Sequence, residues 1–110
     1  MNVILRRTFE LLGDSVEPAA SLLKAMANKH RLLVLTKLAD REYSVKELEQ
    51  VTGLRQSALS QHLARLRRDR LVTTRKSAQM VFYRLADHKT HKVLETLDYI
   101  YKREFETPLS

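Results

Sequence analysis

Apolar residues recur at helical spacing through the first third of the chain. A helix over about residues 17–27 is predicted by one apolar face, formed by Ala19, Leu22, Leu23 and Met26. Pro18 suits the first turn of that helix. Asn28 is the expected N-cap of the next helix, over about 29–39. That helix is apolar on almost every side, which predicts that it is the central buried one; its apolar residues are Leu32, Leu33, Val34, Leu35 and Leu38.

Two shorter helices follow. Ser44 with Glu47 three residues later predicts a capping box at the start of the third helix, and Gly53 is the expected stop. The inward residues of this helix are predicted to be Val45, Leu48 and Val51. The fourth helix is expected over 56–68, with a buried stripe of Leu59, Leu63 and Leu66.

The period then changes from helical to alternating. Residues 71–75 and 80–85 are rich in β-branched and aromatic side chains, which predicts two strands with a turn near Ser77–Ala78. A last helix begins near Asp87 and carries an apolar stripe. The segment before residue 15 is expected to form another short amphipathic helix.

This order predicts a mainly α fold with a small β-hairpin. Four helices, two strands and a helix follow one another, and the turn at Gly53 joins the third and fourth helices as in a helix-turn-helix. A hairpin directly after the second of those helices makes the motif a winged helix. We expect residues 1–110 to form a single DNA-binding and dimerisation domain, with an extension at 1–15 and a tail at 106–110.

The net charge of +7 is concentrated in one segment. Between Arg55 and Lys76 seven basic residues face a single acid, Asp69, so these 22 residues hold a net +6. A concentrated basic strip is typical of a nucleic-acid-binding face. The alternative is a solvated surface helix, but such a helix usually mixes glutamate with lysine and arginine, and no acid lies between Gly53 and Asp69.

The leucine stripe of the fourth helix determines which of its side chains are exposed. Glutamine, serine and arginine on the outer face are suited to base edges and phosphates, and the following hairpin adds basic residues near its tip. The predicted DNA-binding residues are Arg55, Gln56, Ser57, Ser60, Gln61, Arg65, Arg68, Arg75, Lys76 and Gln79. Arg67 and Arg70 are further candidates for phosphate contacts.

The segments "LLKAMAN" and "QSALSQHLARLR" resemble the ArsR/SmtB winged-helix transcriptional regulators, in particular the HlyU-, BigR- and NolR-like subgroup. The resemblance covers about residues 19–103. It implies a homodimer, paired mainly through its first and last helices, that binds an inverted-repeat operator in double-stranded DNA. One departure is Arg55, which stands where the subgroup commonly has a serine N-cap. Either Gln56 or Ser57 takes over the cap, or the helix start frays until phosphate binds.

The last helix supports the expected dimer, because its apolar stripe has no evident partner in so short a chain. The alternative is that the stripe packs within one protomer. The predicted interface residues are Leu22, Val93, Leu97, Ile100 and Tyr101.

The sensing sites of the family lack their ligands in this sequence. Ser44 and Lys46 stand where a thiolate metal site needs cysteines. A last-helix metal site retains Asp87 but would have Lys89, Ile100 and Arg103 as its other members. The cysteine positions of dithiol switches correspond to Thr36 and Lys102, and the chain has no cysteine at all, so thiol chemistry is excluded.

One other group of possible metal ligands remains on the last helix. His88, His91 and Glu95 share a face with metal-ligand chemistry, but Lys89 and Lys92 flank them and would repel a cation. Ordinary surface histidines are the alternative. We therefore expect no metal and no other cofactor.

The sequence favours a sequence-specific, dimeric transcriptional regulator. It shows no nucleophile–base arrangement, no phosphate-binding glycine loop and no small-molecule site, which excludes the common enzyme classes. An architectural DNA-binding protein with little sequence preference is the alternative. No apolar run reaches 18 residues and no signal peptide is evident, so the cytoplasm is the expected location.

Overall fold

The computed structural model describes residues 12–106, with side chains to residue 102. Within that range the chain forms five helices and three strands. They are α1 (Val16–Met26), α2 (Lys29–Leu38), β1 (Tyr43–Ser44), α3 (Val45–Thr52), α4 (Gln56–Arg68), β2 (Val72–Ser77), β3 (Met80–Leu85) and α5 (His88–Glu106). Residues 1–11 of the predicted amphipathic segment and residues 107–110 of the tail lie outside the described residues, and the described residues 12 and 13 are helical.

The strands form one antiparallel sheet in the order β1-β3-β2. In the hairpin, Val72 pairs with Leu85 and Ser77 with Met80, so the turn is Ala78–Gln79, one residue later than predicted. The two-residue strand β1 was not predicted; it pairs Tyr43 with Tyr83 on the far edge of β3. The hairpin is therefore anchored to the helices by a third strand as well as by packing.

The core lies between α2, α3, α4 and the base of the sheet. Helices α2, α3 and α4 place leucine or valine on their inner faces, and α5 adds one threonine. The most deeply buried large side chains are Val34, Leu35, Leu48, Leu59, Leu63, Leu66 and Thr90. The prediction that α2 is the central helix is confirmed by its buried residues. The leucine stripe predicted for α4 is also confirmed.

Local capping signals place the helix ends. The Asn28 side chain accepts hydrogen bonds from the backbone amides of His30 and Arg31, at 3.0 and 3.1 Å. Ser44 and Glu47 form the predicted capping box, with distances of 2.9 and 3.1 Å. Gly53 follows α3 at a φ of 73°, a left-handed conformation that glycine adopts without strain. These three predictions are confirmed.

The prediction that Val51 faces inward is wrong. Val51 is 42% exposed, whereas Val45 and Leu48 pack into the core. The helix is only eight residues long, and Leu48 is its one fully buried residue. Along residues 12–106, no helix combines the length and hydropathy that crossing a membrane requires.

Candidate nucleic-acid interface

The outer face of α4 is polar and open to solvent. Burial of Leu59, Leu63 and Leu66 fixes the rotation of the helix about its axis. The opposite side chains are all exposed, as predicted: Gln56, Ser57, Ser60, Gln61 and Ala64. These short or uncharged side chains leave space for a base edge to approach the helix.

The beginning of α4 has no side-chain cap. Arg55 occupies the N-cap position in extended conformation and accepts no backbone amide through its side chain. The first intrahelical bond runs from the Leu59 amide to the Arg55 carbonyl, at 2.9 Å. Neither Gln56 nor Ser57 replaces the cap, since the helix begins at Gln56. With no acid in its first turn, this helix end presents amide donors and a positive dipole to an anion.

The arginines at the end of α4 are held by one acid. Asp69 accepts a hydrogen bond from Nε of Arg65 at 3.0 Å and a longer one from Nε of Arg68 at 3.4 Å. The Arg65 bond lowers the pKa of the Asp69 carboxyl, which stays ionised at neutral pH. Arg65 is thereby half-buried, while Arg68 remains largely exposed. Among the predicted phosphate ligands of α4, Arg68 is thus the more accessible.

A tight turn directs the chain from α4 into the hairpin. The Leu71 amide bonds to the Leu66 carbonyl at 2.9 Å, and the Arg70 amide bonds to the Arg67 carbonyl at 3.1 Å. This pattern is a Schellman motif, whose left-handed position usually holds glycine. Here that position holds Arg70, at a φ of 65°. The turn sets the angle between α4 and the wing, which we define as the β2–β3 hairpin.

The wing carries three exposed polar residues near its tip, and the guanidinium of one of them is bound by a carboxylate. Lys76 and Gln79 are exposed, as expected for groups that reach DNA. Arg75 instead extends across β3, where its guanidinium lies 4.6 Å from the centre of the Phe82 ring and binds the carboxylate of Glu42. No local pattern in the sequence predicts this pair, because Arg75 and Glu42 are 33 residues apart in the chain. They meet because β1, a strand that the sequence did not predict, pairs with β3.

Two histidines meet where α2 crosses α4. The rings of His30 and His62 have centroids 5.6 Å apart. Burial, Arg31 and His30 all lower the pKa of the His62 imidazole, so His62 is neutral at pH 7. Arg31 ties the same region to α1, donating from Nε to the Ala25 carbonyl at 2.6 Å. These contacts support the position of α4 without involving its polar face.

The predicted dimer residues divide into two groups. Leu22 and Val93 are half-buried against the core, so the intramolecular alternative applies to part of the stripe. Ile100 and Tyr101 are 49% and 55% exposed at the far end of α5, and Leu97 is half-buried. Two apolar residues of α1, Val16 and Leu23, are also exposed. An apolar surface therefore remains on both helices of the single chain.

The structure does not assemble a metal site from the described residues. His91 Nδ1 lies 3.0 Å from Glu95 Oε1 on the surface of α5. Over the described part of the chain no three histidine, cysteine, aspartate or glutamate residues converge. Ser44 is occupied as the cap of α3, and the Thr36 hydroxyl donates to the Leu33 carbonyl at 2.6 Å.

Comparison with known proteins agrees with this geometry. Residues 28–74 match the family described as "Bacterial regulatory protein, arsR family". The transcriptional activator HlyU of Vibrio cholerae is 55% identical over 83 residues, which cover 76% of this chain and 77% of HlyU. The nodulation protein NolR of Rhizobium meliloti is 46% identical over 105 residues, covering 92% of this chain and 86% of NolR.

Solved structures share the fold as well. Reduced HlyU from Vibrio cholerae superposes with a TM-score of 0.76 at 52% identity, covering 84% of this chain and 97% of that one. A homodimeric winged helix-turn-helix DNA-binding domain from Mycobacterium bovis gives 0.75 at 26% identity, with 86% and 87% covered.

Proposed function

Because the chain belongs to the arsR family of bacterial regulatory proteins, we propose that it binds an inverted-repeat operator as a homodimer, with one α4 helix in the major groove of each half-site. The chain is a DNA-binding transcriptional regulator and not an enzyme, and its relatives do not support a purely architectural role. A regulator of this kind acts where the chromosome is, so we assign it to the cytoplasm.

The polar face of α4 carries the proposal. Gln56, Ser57, Ser60 and Gln61 lie near the N-terminal end of the helix, where the residues of such helices meet bases. Glutamine pairs with adenine through two hydrogen bonds, and serine bonds to several bases. These four residues are our candidates for base recognition.

Phosphate contacts are assigned to the surrounding donors. The uncapped start of α4 and Arg55 lie on one side of the polar face, and Arg68 lies at the other end of the helix. Lys76 and Gln79 extend from the wing toward the neighbouring groove. Arg65 and Arg75 use part of their guanidinium donors to bind Asp69 and Glu42 in the free protein, so each offers fewer donors to phosphate than an unpaired arginine.

The operator itself is found by selecting duplexes from a random library with the purified protein. The proposal expects an inverted repeat whose half-site centres are about one helical turn apart. The double variant Ser57→Ala/Gln61→Ala tests base reading, with affinity measured by fluorescence anisotropy on the selected duplex and on a scrambled duplex. We expect operator binding to fall by at least tenfold and scrambled binding to change little. An equal loss on both duplexes contradicts base reading by these residues.

Lys76→Ala provides the complementary test. Removal of one phosphate contact weakens binding to both duplexes alike, and the slope of log K against log salt becomes shallower by about 0.9 per site. A loss restricted to the operator would instead assign Lys76 to base recognition.

A further inference from the structure

Arg75 is held by a carboxylate on the outward face of the sheet. Its register partner across β2 and β3 is Phe82, and Ser44 of β1 pairs with Phe82 from the other side. Residues directly opposite in antiparallel strands point to the same face. Glu42, two residues before Ser44, belongs to that face too, so the Arg75 side chain crosses the Phe82 ring to reach it.

The contact between Arg75 and Glu42 is a multiple one. Nε of Arg75 lies 2.9 Å from each carboxylate oxygen of Glu42, and Nη2 donates to Oε1 as well. The hydrogen bond from Arg75 lowers the pKa of the Glu42 carboxyl, which keeps it ionised at neutral pH. A planar guanidinium presents the same donors to a carboxylate and to a phosphate. Glu42 therefore occupies the Nε–Nη2 edge of the guanidinium, which is one of the edges that could bind a DNA phosphate through two hydrogen bonds.

Stability does not account for this pair. Both side chains are substantially exposed, at 48% for Arg75 and 31% for Glu42, and exposed ion pairs contribute little to folding. The pair instead joins the wing to Glu42, just before β1, and neutralises Arg75, one of the two adjacent basic residues Arg75 and Lys76 of β2. Its largest effect falls on the charge that the wing offers to DNA.

We propose that Glu42 is an affinity-determining residue that competes with DNA phosphate for Arg75. In the free protein Glu42 holds the guanidinium against Phe82; on binding, the Arg75 donors move from the carboxylate to a phosphate oxygen. The cost of opening the pair lowers affinity for any duplex. This inference rests on the proposed DNA-binding function of the wing.

The test is a double-mutant cycle on the intact chain. Affinities of the wild type, Glu42→Gln, Arg75→Gln and the double variant are measured on the selected and scrambled duplexes at four salt concentrations. We expect Glu42→Gln to bind both duplexes about three- to fivefold more tightly, which corresponds to the upper range of an exposed ion pair. The salt slope should change little, because Arg75 contacts phosphate in the complexes of both the wild type and Glu42→Gln. In the Arg75→Gln background, Glu42→Gln should raise DNA affinity no more than the charge control described next.

The charge control is Glu95→Gln, which removes one negative charge from exposed α5. Equal gains from Glu42→Gln with and without Arg75 would indicate a general charge effect and overturn the proposal, as would no gain at all. A second measurement uses the ¹⁵N resonance of Arg75 Nε, which should shift on titration with the selected duplex. An unshifted resonance in the saturated complex also overturns it. Failure of the wild type to bind any duplex would refute both this inference and the proposed function, whereas selective wild-type binding without the Glu42 effect would refute the inference alone.

Discussion

Arg70 adopts the backbone conformation that glycine favours, at the turn between α4 and the wing. Its φ of 65° places Cβ close to the following carbonyl, which costs about 1–2 kcal/mol in an L-residue. Arg70→Gly removes that strain but adds conformational freedom to the unfolded chain. We expect a net increase of about 0.5–1 kcal/mol in the free energy of unfolding, measured by urea denaturation.

The matched control is Arg70→Ala. It removes the same charge and side chain but retains the Cβ atom, so it should be no more stable than the wild type. Equal stabilisation by glycine and alanine would show that the guanidinium group, and not the backbone conformation, is unfavourable at this position.

His62 makes stability depend on pH. Burial first, then Arg31 and His30, lower the pKa of its imidazole in the folded protein. The unfolded chain, with a histidine pKa of about 6.5, therefore binds the proton more readily. Because the unfolded chain binds this proton more readily, His62 lowers the free energy of unfolding as the pH falls below about 6.5. Above that pH, His62 makes no contribution to the pH dependence of stability.

His62→Gln should reduce this dependence. Urea denaturation at pH 7.5, 6.5 and 5.5 should show a smaller loss of stability in the variant than in the wild type. His30→Gln is the control: it also removes a histidine from the pair, and with it one of the smaller causes of the His62 shift, so most of the wild-type slope should remain. The depressed carboxyl pKa values of Asp69, Glu42 and Glu47 act at lower pH, below their ordinary range. An identical pH slope in the wild type and His62→Gln would contradict this assignment.

At the scale of the element, α4 lacks the cap that would complete its first turn. Arg55→Ser supplies a hydroxyl acceptor for the free amides and should raise the free energy of unfolding by about 0.5–1 kcal/mol. The same bond would occupy an amide that we assign to phosphate. The variant should therefore be more stable and should bind DNA more weakly.

Arg55→Ala separates the two causes of weaker binding. It removes the same positive charge without adding a cap, so the difference between serine and alanine variants reports the amides alone. Affinity is measured on the selected duplex at fixed salt, and stability in urea. Equal affinities of the serine and alanine variants would show that the helix start makes no phosphate contact.

Elements with a local signal were predictable from sequence, and those made by distant contacts were not. Asn28, Ser44 and Gly53 act within one turn of their own positions, so their spacing was sufficient to place three helix ends. The strand β1 is only two residues long and exists because Tyr43 pairs with Tyr83. No periodicity can be read from two residues, and the Glu42–Arg75 pair that depends on this strand was missed with it.

The sequence correctly predicts which side of a helix is buried when that helix contacts the core along its whole length. The stripe of α4 is an example, because Leu59, Leu63 and Leu66 are all buried. The pattern is misleading at Val51, which is exposed on a helix that fully buries only Leu48. Likewise, the exposure of Gln56 and Ser57 follows from that stripe, and the i,i+4 spacing of Arg65 and Asp69 is a local signal for their ion pair.

For the whole molecule, the lack of cysteine bears on regulation. Oxidants that act on thiols have no target in the chain, so diamide and a sulfide donor should change its affinity for the selected duplex less than twofold. Diamide is preferable to peroxide, because Met80 is 48% exposed in the wing, at the start of β3, and can form a sulfoxide. A larger response to diamide would require a sensing chemistry other than the thiol switch.

We predict that dimerisation through α1 and α5 raises the affinity of the whole molecule for its operator. An inverted repeat offers two half-sites, and a dimer gains both sets of phosphate and base contacts in one binding event. Ile100→Glu places a charge on the exposed apolar end of α5, where burial against a partner would be costly. We expect at least a tenfold weaker dimer by sedimentation equilibrium, with urea stability at low protein concentration little changed.

Lys102→Glu is the control for charge. At about 100° per residue it lies about 160° around α5 from Ile100, and it changes the charge by two units, not one. If the interface contains the Ile100 face, only Ile100→Glu should dissociate the dimer, and its affinity for the full operator should approach that for a single half-site. Dissociation by Lys102→Glu alone would place the interface on the opposite side of α5. A stable dimer in both variants would remove α5 from the interface and leave the exposed residues of α1, Val16 and Leu23, as the remaining apolar contact.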